Sequence, residues 1–502
     1  MKHKFSISFF FSKTVLLLCL SSFNISLFAQ QYDFNENCQT AYEHILALRF
    51  GEAEMILQQE NYQNAENVVP LLLENYLDFI EIFITENEKT FKQLEKNKAY
   101  RLGKIAKSAS DSPYHLYLQA EVHLQWAVAR LKFEEYMKAF WEVRKAYKLL
   151  IENKRLYPNF FPNQKSLGII HALIGTVPDS YKWGVQILGL QGDIEQGMNE
   201  LRFFLEKSKA NKQLFYDEGI LIYSFFLMYL ENKPEKAWQV AQKLPTENHL
   251  MNCFTAATIA IRTGHNDDAI RMLENRATSK DYQAFYYLDY LLGASKLNRL
   301  DSDADVALLR FVEHFEGKNY LKDAYQRLAW FHLLKGDREK YFEYMQFCKT
   351  KGKTTLDADR QALKNAEKDV FPNIFLLKAR LLFDAAYYEK ALAILQEIQV
   401  DIFLTQKEKK EYIYRCGRVY EGLENYEKAF EYYKKTIELG NAVDGSFFAP
   451  KSCLQMAKIY EKQGNIELAK QYYKRCLQFG SYEYKNSMEQ QAKAGLNRLK
   501  SL

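Results

Sequence analysis

The sequence predicts an all-α protein built as a solenoid of helical hairpins, and three observations support that prediction. The chain has 502 residues, enough for a long array of repeats around a substantial core. Glycine (21 residues) and proline (9 residues) are both scarce, which disfavours β architectures rich in turns. In the C-terminal third, a pattern of small and aromatic residues recurs at nearly regular intervals.

The recurring pattern is a small residue, a large apolar or aromatic residue three positions later, then an alanine and a second large residue. Its three best copies contain Ala391, Ala429 and Ala469, which are 38 and 40 residues apart. We interpret each copy as two amphipathic helices. The small residues let the helices approach closely, and the aromatic residues fill the space around them.

Weaker copies of the pattern extend upstream, and they raise the expected number of units to seven or more. These copies contain Ala53, Ala139, Ala269 and Ala329. In three units a glycine stands where the first helix should end, a position suited to a left-handed cap. These glycines are Gly264, Gly336 and Gly464.

The pattern resembles the tetratricopeptide repeat, although the usual period of that repeat is 34 residues. The additional residues, such as 441–448, are expected to form a loop between units. The resemblance implies a right-handed superhelix, or α-solenoid, in which the first helix of each hairpin lines a concave groove.

Residues 166–197 depart from the pattern, because they hold six of the 21 glycines and few charges. They are expected to form a Gly-rich apolar insertion of two short helices broken at Pro178. This insertion is either a tightly packed hairpin whose glycines allow close helix contact, or a hairpin that contacts a membrane or a partner.

The same segment resembles part of the tetratricopeptide-repeat 39 family, which includes the fungal inclusion-body clearance protein. The resemblance rests on Gly168, Pro178, Gly189, Gly192, Asp193 and Gly197. It implies a helical-repeat fold without known catalysis. Members of that family are not secreted, so only the fold is carried over.

The N-terminus has the features of a secretory signal peptide. Lys2, Lys4 and Lys13 precede a short apolar stretch, and Ala29 marks the expected cleavage site. We therefore expect an exported protein, located in the periplasm or associated with the outer membrane of a Gram-negative cell. No transmembrane helix is expected in the mature chain.

These features divide the chain into four regions. We expect a signal peptide (1–29), a degenerate N-terminal repeat array (30–348) that includes the hairpin 166–197, a charged connector (349–372) and C-terminal repeats (373–502).

The sequence offers no set of residues from which a reaction can be derived. Metal, nucleophile-elbow, phosphate-loop and dinucleotide motifs are all missing from it. We therefore predict a non-catalytic protein without a cofactor, although a polar cleft assembled by folding could still support an enzyme. Six cysteines follow the leader without metal-ligand spacing, and we interpret them as buried thiols in a compartment that permits disulfides.

The strongest candidate for ligand binding is a ladder of basic residues on the first helices of the C-terminal units. Arg380, Arg418 and Lys458 each follow the small residue of their unit, and Tyr414 belongs to an apolar row one turn earlier. Such a ladder could hold a carboxylate or an extended acidic peptide. The alternative is that these charges are neutralised within their own helices, since Glu421 and Glu461 lie three residues after two of them.

Two functions follow as hypotheses. The first is a scaffold that binds a protein or peptide partner through its concave surface. The second is a receptor that binds a glycan or another nutrient through surface aromatic residues. A formal net charge of only +5 over the chain argues against nucleic acid as a partner, whereas peripheral membrane contact is compatible with the sequence.

Overall fold

The computed structural model of the chain describes residues 31–177, 185, 189–209, 215–368, 370–398, 403, 405–440 and 445–499. These residues form 24 α-helices and no strand. The predicted signal peptide lies outside the described residues. The helices are α1 (Glu36–Ala47), α2 (Phe50–Gln63), α3 (Val69–Thr85), α4 (Glu88–Ile105), α5 (Pro113–Lys132), α6 (Tyr136–Leu156), α7 (Asn163–Gly175), α8 (Ile194–Lys209), α9 (Tyr216–Tyr229), α10 (Pro234–Ala241), α11 (Leu250–Arg262), α12 (Asn266–Glu274), α13 (Tyr287–Arg299), α14 (Ala304–His314), α15 (Leu321–Leu334), α16 (Arg338–Thr350), α17 (Asp357–Glu367), α18 (Ile374–Asp384), α19 (Tyr388–Gln396), α20 (Gln406–Gly422), α21 (Tyr426–Glu438), α22 (Phe448–Lys462), α23 (Ile466–Leu477) and α24 (Lys485–Arg498).

Successive helices pack in pairs, so the described chain is a series of helical hairpins. The pairs run from α1–α2 to α15–α16 and then from α18–α19 to α22–α23, and most first helices also contact the first helix of the next hairpin. The single helices α17 and α24 stand outside this pairing. The prediction of an all-α solenoid of helical hairpins is therefore confirmed.

A left-handed residue ends the turn between the helices of several hairpins. Gly264, Gly336 and Gly464 have φ values of +82°, +85° and +75°, which confirms the predicted caps. Seven other hairpins have a non-glycine residue with positive φ in the turn between their helices, namely Leu48, Glu86, Glu134, Asn232, Leu300, Ala386 and Glu424. A left-handed residue in this turn is therefore common to most of the described hairpins.

The N-terminal hairpins wind tightly enough for the first helix to reach a much later one. Helix α1 packs against α11, and the backbone N–H of Gln283 donates to the carbonyl oxygen of Leu48 at 2.7 Å. The ring of Phe83 contacts that of Phe254 with 6.1 Å between centroids. One continuous apolar core consequently extends from α1 to α15.

The inner side of this winding is filled by the chain itself. Phe215, only 1% exposed, precedes α9 and packs against the rings of Tyr42 and Tyr76. Beside it, the Nζ atom of the fully buried Lys165 lies 2.8 Å from Glu121 and 2.9 Å from Glu218. An open concave groove therefore does not form at this place in the N-terminal array.

The Gly-rich segment 166–197 falls on α7 and on the start of α8, which pack closely against each other. A Cβ atom at Gly197 would lie 2.5 Å from the backbone nitrogen of Ala172, and one at Gly175 would lie 2.5 Å from that of Ile194. This geometry agrees with the tightly packed interpretation. Pro178 and Asp179, where the helix break was predicted, lie outside the described residues.

The charged segment 349–372 contains the loop after α16 and the single helix α17. This helix packs on α15 and α16. Asp359, at its start, is buried and accepts the backbone N–H groups of Tyr320 and Asp323. The connector is thus bonded to the N-terminal array through its first turn.

The C-terminal repeats are also attached to the N-terminal array through α18 and α19. Helix α18 packs on α13, and the hydroxyl of Tyr387 donates to Asp267 at 2.8 Å. The predicted loop 441–448 separates α21 from α22, and residues 441–444 of it lie outside the described residues. Within the described chain, no helix is both long and apolar enough to cross a bilayer.

Candidate binding groove

A cavity of about 750 Å³ opens among α15, α17, α18, α20, the start of α22 and the turn before α24. We call it the C-terminal groove. Its wall combines aromatic and charged side chains from segments far apart in sequence. The lining side chains include Trp330, Phe371, Arg380, Phe383, Tyr414, Arg418, Phe447 and Tyr484.

Three of the four predicted binding residues line this groove, namely the ladder residues Arg380 and Arg418 and the apolar-row residue Tyr414. Both arginines lie six residues before the left-handed residue of their own hairpin. Trp330 holds the same position in α15, six residues before Gly336. The ladder therefore begins with a tryptophan, one unit before the first arginine.

Each arginine stacks on an aromatic ring of the unit before it. The guanidinium carbon of Arg380 lies 5.1 Å from the ring centroid of Trp330. That of Arg418 lies 4.9 Å from the ring centroid of Phe383. Cation–π contact holds both guanidinium groups in place along the groove wall.

The acidic partners of the two arginines differ. The Nε atom of Arg418 lies 3.3 Å from Glu421, whereas that of Arg380 lies 3.6 Å from Asp384. Phe383 stands three residues after Arg380, at the position that Glu421 holds in the next unit. The structure thus supports neutralisation of Arg418 within its helix, with a looser pairing for Arg380.

Glu421 has other partners besides Arg418, so its negative charge is shared among several groups. It accepts hydrogen bonds from the hydroxyl of Tyr433 and from Nε2 of Gln455. Burial by itself would lower the pKa of Arg418, but the neighbouring Tyr414, Tyr433 and Glu421 outweigh it and raise the pKa. This arginine therefore keeps its positive charge.

Lys458, the fourth predicted residue, does not line the groove. It is exposed and its Nζ atom donates to Gln491 of α24 at 2.9 Å. Its expected acidic partner, Glu461, accepts hydrogen bonds from Tyr473 at 2.5 Å and from Arg498 at 2.9 Å. Desolvation by the surrounding side chains and the charge of Arg418 lower the pKa of Lys458, so the two cations influence each other.

Tyr414 forms part of the groove wall and its hydroxyl is not free to act as an acid. The residue is buried, and its ring contacts that of Phe448 with 5.3 Å between centroids. Burial raises the pKa of Tyr414. Its role in the groove is accordingly one of shape.

Lys451 is a cation near the groove that the sequence analysis missed. Burial, and then the charges of Lys458 and Arg418, lower the pKa of Lys451 to about 8. It lies seven residues before Lys458, which is two helical turns and therefore the same face of α22. The seven-residue spacing was the feature of the sequence that could have pointed to Lys451.

An exposed apolar rim borders the groove next to Phe371. Val370 is 68% exposed, and the ring of Phe342 packs at a tilt against that of Phe371 with 4.8 Å between centroids. The rim consists of large apolar residues that are all exposed, namely Phe342, Val370, Ile374 and Phe375. Contiguous exposed apolar surface of this kind is typical of an interaction site.

The remaining candidates for chemistry among the described residues are metal ligands and cysteine thiols. The described residues contain no group of three or more His, Cys, Asp and Glu side chains that could hold a metal ion. The six cysteines of residues 31–499 are buried free thiols. Three of them, Cys416, Cys453 and Cys476, lie at packing positions of the repeats as predicted.

Comparison with known families bears on the two hairpins that border the groove. Residues 411–439 and 450–479 match the family model of the tetratricopeptide repeat. The C-terminal array contains tetratricopeptide repeats. They coincide with the hairpins α20–α21 and α22–α23, and repeats of this type suggest a protein-binding scaffold. No curated protein matches the chain significantly.

The match to the tetratricopeptide repeat does not reach residues 166–197. The finer resemblance to the tetratricopeptide-repeat 39 family therefore stays a prediction. The upstream hairpins share the architecture of the matched repeats without matching the family model.

Proposed function

We propose that this protein is a non-catalytic scaffold that binds a segment of a protein partner in the C-terminal groove. The observation that carries the proposal is the pair of ring-stacked guanidinium groups, Arg380 and Arg418, in one cavity beside an exposed apolar rim. The segment it fits is an extended peptide that carries both acidic and large apolar side chains.

The groove is suited to such a peptide because its cationic groups are already ordered. Binding a flexible arginine costs side-chain entropy, and stacking on Trp330 and Phe383 removes much of that cost in advance. Arginine also offers paired N–H donors that match the geometry of a carboxylate. Apolar side chains of the peptide would cover Val370 and Phe375, which now face water.

A glycan receptor is the less favoured alternative. Sugar binding through aromatic residues requires an open ring face, but Trp330 is only 5% exposed and Arg380 lies over its ring. Phe383 is covered in the same way by Arg418. An acidic peptide would instead bind the two guanidinium groups that cover these rings.

The cellular location is part of the proposal, and it rests on the predicted signal peptide. We propose export to the periplasm or to the periplasmic side of the outer membrane. Cell fractionation followed by N-terminal sequencing of the purified protein tests this. A mature N-terminus at Gln30 is expected, and a cytoplasmic protein that retains Met1 would contradict it.

Selection from a random peptide display library tests the groove. Residues 30–502 should select peptides enriched in acidic and large apolar residues. The Arg380→Glu/Arg418→Glu variant should lose them. Lys434→Glu/Lys474→Glu is the matched control, since it makes the same change of charge at exposed sites on second helices.

The control variant should bind the selected peptides as the wild type does, and circular dichroism should show that both variants are folded. Peptides without an acidic consensus, or equal binding by the Arg380→Glu/Arg418→Glu variant, would show that the groove is not the binding site.

A further inference from the structure

Helix α6 carries an unusual exposed surface on the outside of the N-terminal array. Its inner side is buried against neighbouring helices through Ala139, Ala146 and Leu150. Its outer side presents a stripe of exposed residues at helical spacing. We call this stripe the α6 outer face, and it consists of Met137, Trp141, Lys145, Lys148, Ile151 and Arg155.

Three residues of the α6 outer face are large and apolar. Met137 is 68% exposed, Trp141 46% and Ile151 41%. They span about four turns of the helix on one side. At the end of the adjacent α7, Leu173 is also exposed. A single exposed apolar residue needs no explanation, but a row of them favours a contact surface.

The remaining residues of the stripe are basic. No ion pair holds Lys145 or Lys148 to a carboxylate of the described residues, while Arg155 pairs with the exposed Glu152 at 2.6 Å. Next to the stripe, the guanidinium carbon of Arg144 lies 5.6 Å from the ring centroid of Trp141. Lys145 and Lys148 therefore place positive charge that no ion pair among the described residues neutralises between the apolar residues of the face.

The combination of lysine and large apolar residues helps to distinguish a protein partner from a membrane. The cores of protein interfaces are depleted of lysine. Helices that lie on membranes carry lysine and arginine together with tryptophan and large aliphatic residues. Long lysine side chains also let the ammonium group reach phosphates while the apolar residues enter more deeply.

We propose that the α6 outer face docks the protein on an anionic lipid bilayer. Trp141, Met137 and Ile151 enter the boundary between headgroups and acyl chains, and Lys145 and Lys148 contact lipid phosphates. The α6 outer face is separate from the C-terminal groove, so the proposals of membrane docking and of peptide binding can be tested independently.

Vesicle co-sedimentation of residues 30–502, which contain every described helix, tests the proposal. The probes are vesicles of phosphatidylcholine alone and vesicles with added phosphatidylglycerol, both at 0.1 M salt. The wild type should bind the anionic vesicles selectively and lose affinity as salt is raised. Lys145→Glu/Lys148→Glu should weaken binding by at least about 25-fold, since each basic residue near an anionic surface is worth about fivefold.

Trp141→Ser separates insertion from simple charge attraction. It should weaken binding to anionic vesicles without changing the net charge. Lys434→Glu/Lys474→Glu again serves as the control of equal charge, and it should bind vesicles as the wild type does.

Three outcomes would overturn the proposal. One is absence of binding to anionic vesicles by the wild type, and another is equal binding by the Lys145→Glu/Lys148→Glu variant. The third is a soluble protein partner that requires Trp141 while vesicles are ignored, which would identify the α6 outer face as a protein interface.

Discussion

Gly168 in α7 lies directly against the backbone carbonyl of Gly197 in α8. A Cβ atom at Gly168 would lie 2.8 Å from that oxygen, and one at Gly197 would lie 2.5 Å from the nitrogen of Ala172. Side chains are therefore excluded from both positions. The two glycines therefore allow the backbones of α7 and α8 to touch.

Gly197→Ala should destabilise the protein by about 1–3 kcal/mol, because the new methyl group meets backbone atoms that cannot move independently. Urea unfolding measures the change. Gly103→Ala is the control, since a Cβ atom there meets no atom within 4 Å and alanine favours a helix. A Gly197→Ala variant as stable as the wild type would show that α7 and α8 can separate without cost.

Lys165→Met should destabilise the protein by about 3–5 kcal/mol, because it leaves two buried carboxylates without their counter-ion. These are Glu121 and Glu218, which bind the ammonium group at 2.8 and 2.9 Å. Chemical denaturation should also show a less cooperative transition for the N-terminal array.

The exposed pair Lys435–Glu431 provides the comparison for Lys165. The Nζ atom of Lys435 lies 2.6 Å from the carboxylate of Glu431, but both side chains are open to solvent. Lys435→Met should therefore change the free energy of unfolding by less than about 1 kcal/mol. Equal effects of the two substitutions would mean that the cluster around Lys165 is hydrated.

His249 should make stability sensitive to mild acid. Burial lowers the pKa of His249 to about 4, while its value in the unfolded chain is about 6.5. The unfolded state therefore binds a proton first. Stability contributed by the neutral ring is complete above pH 6.5 and is lost as the pH falls towards 4, by up to about 3 kcal/mol.

The variant His249→Asn tests this dependence. Nδ1 of His249 accepts the backbone N–H of Asn252 at 3.2 Å at the start of α11, and asparagine can replace that cap without titrating. Between pH 7 and pH 4.5 the variant should lose less stability than the wild type. The exposed His314→Asn should follow the wild type, and an unchanged slope for His249→Asn would contradict the prediction.

The six cysteines should be unreactive in the folded protein. Burial raises the pKa of Cys253 and of Cys453 to about 12, so few thiolates exist at pH 8. An Ellman assay of residues 30–502 should detect almost no thiol in buffer. In denaturant without reductant it should detect six, and a lower number would reveal disulfides.

Part of the candidate groove was predictable because equivalent residues recur at the same position of successive repeats. Arg380 and Arg418 hold the same place before the left-handed turn, so stacking of units brings them onto one wall. Lys458 shares that place but not that environment. The single helix α24 packs after the last hairpin, and Gln491 binds the lysine there.

The aromatic contributions to the groove could not be predicted in the same way. Trp330 precedes Arg380 by 50 residues, and the intervening α17 breaks the regular spacing. Tyr484 reaches the groove from the turn before α24. No local pattern relates such positions, because their proximity depends on how the whole superhelix turns.

The sequence by itself determined the helical hairpins, the small residues at helix crossings and the left-handed turns. These features depend on contacts within a unit or between neighbours, so they leave a periodic pattern along the chain. Only the tertiary structure decided that Phe215 fills the N-terminal concave side and that the groove opens beside α18. Both features depend on small rotations that accumulate over many hairpins, and the sequence of a single repeat does not show their total.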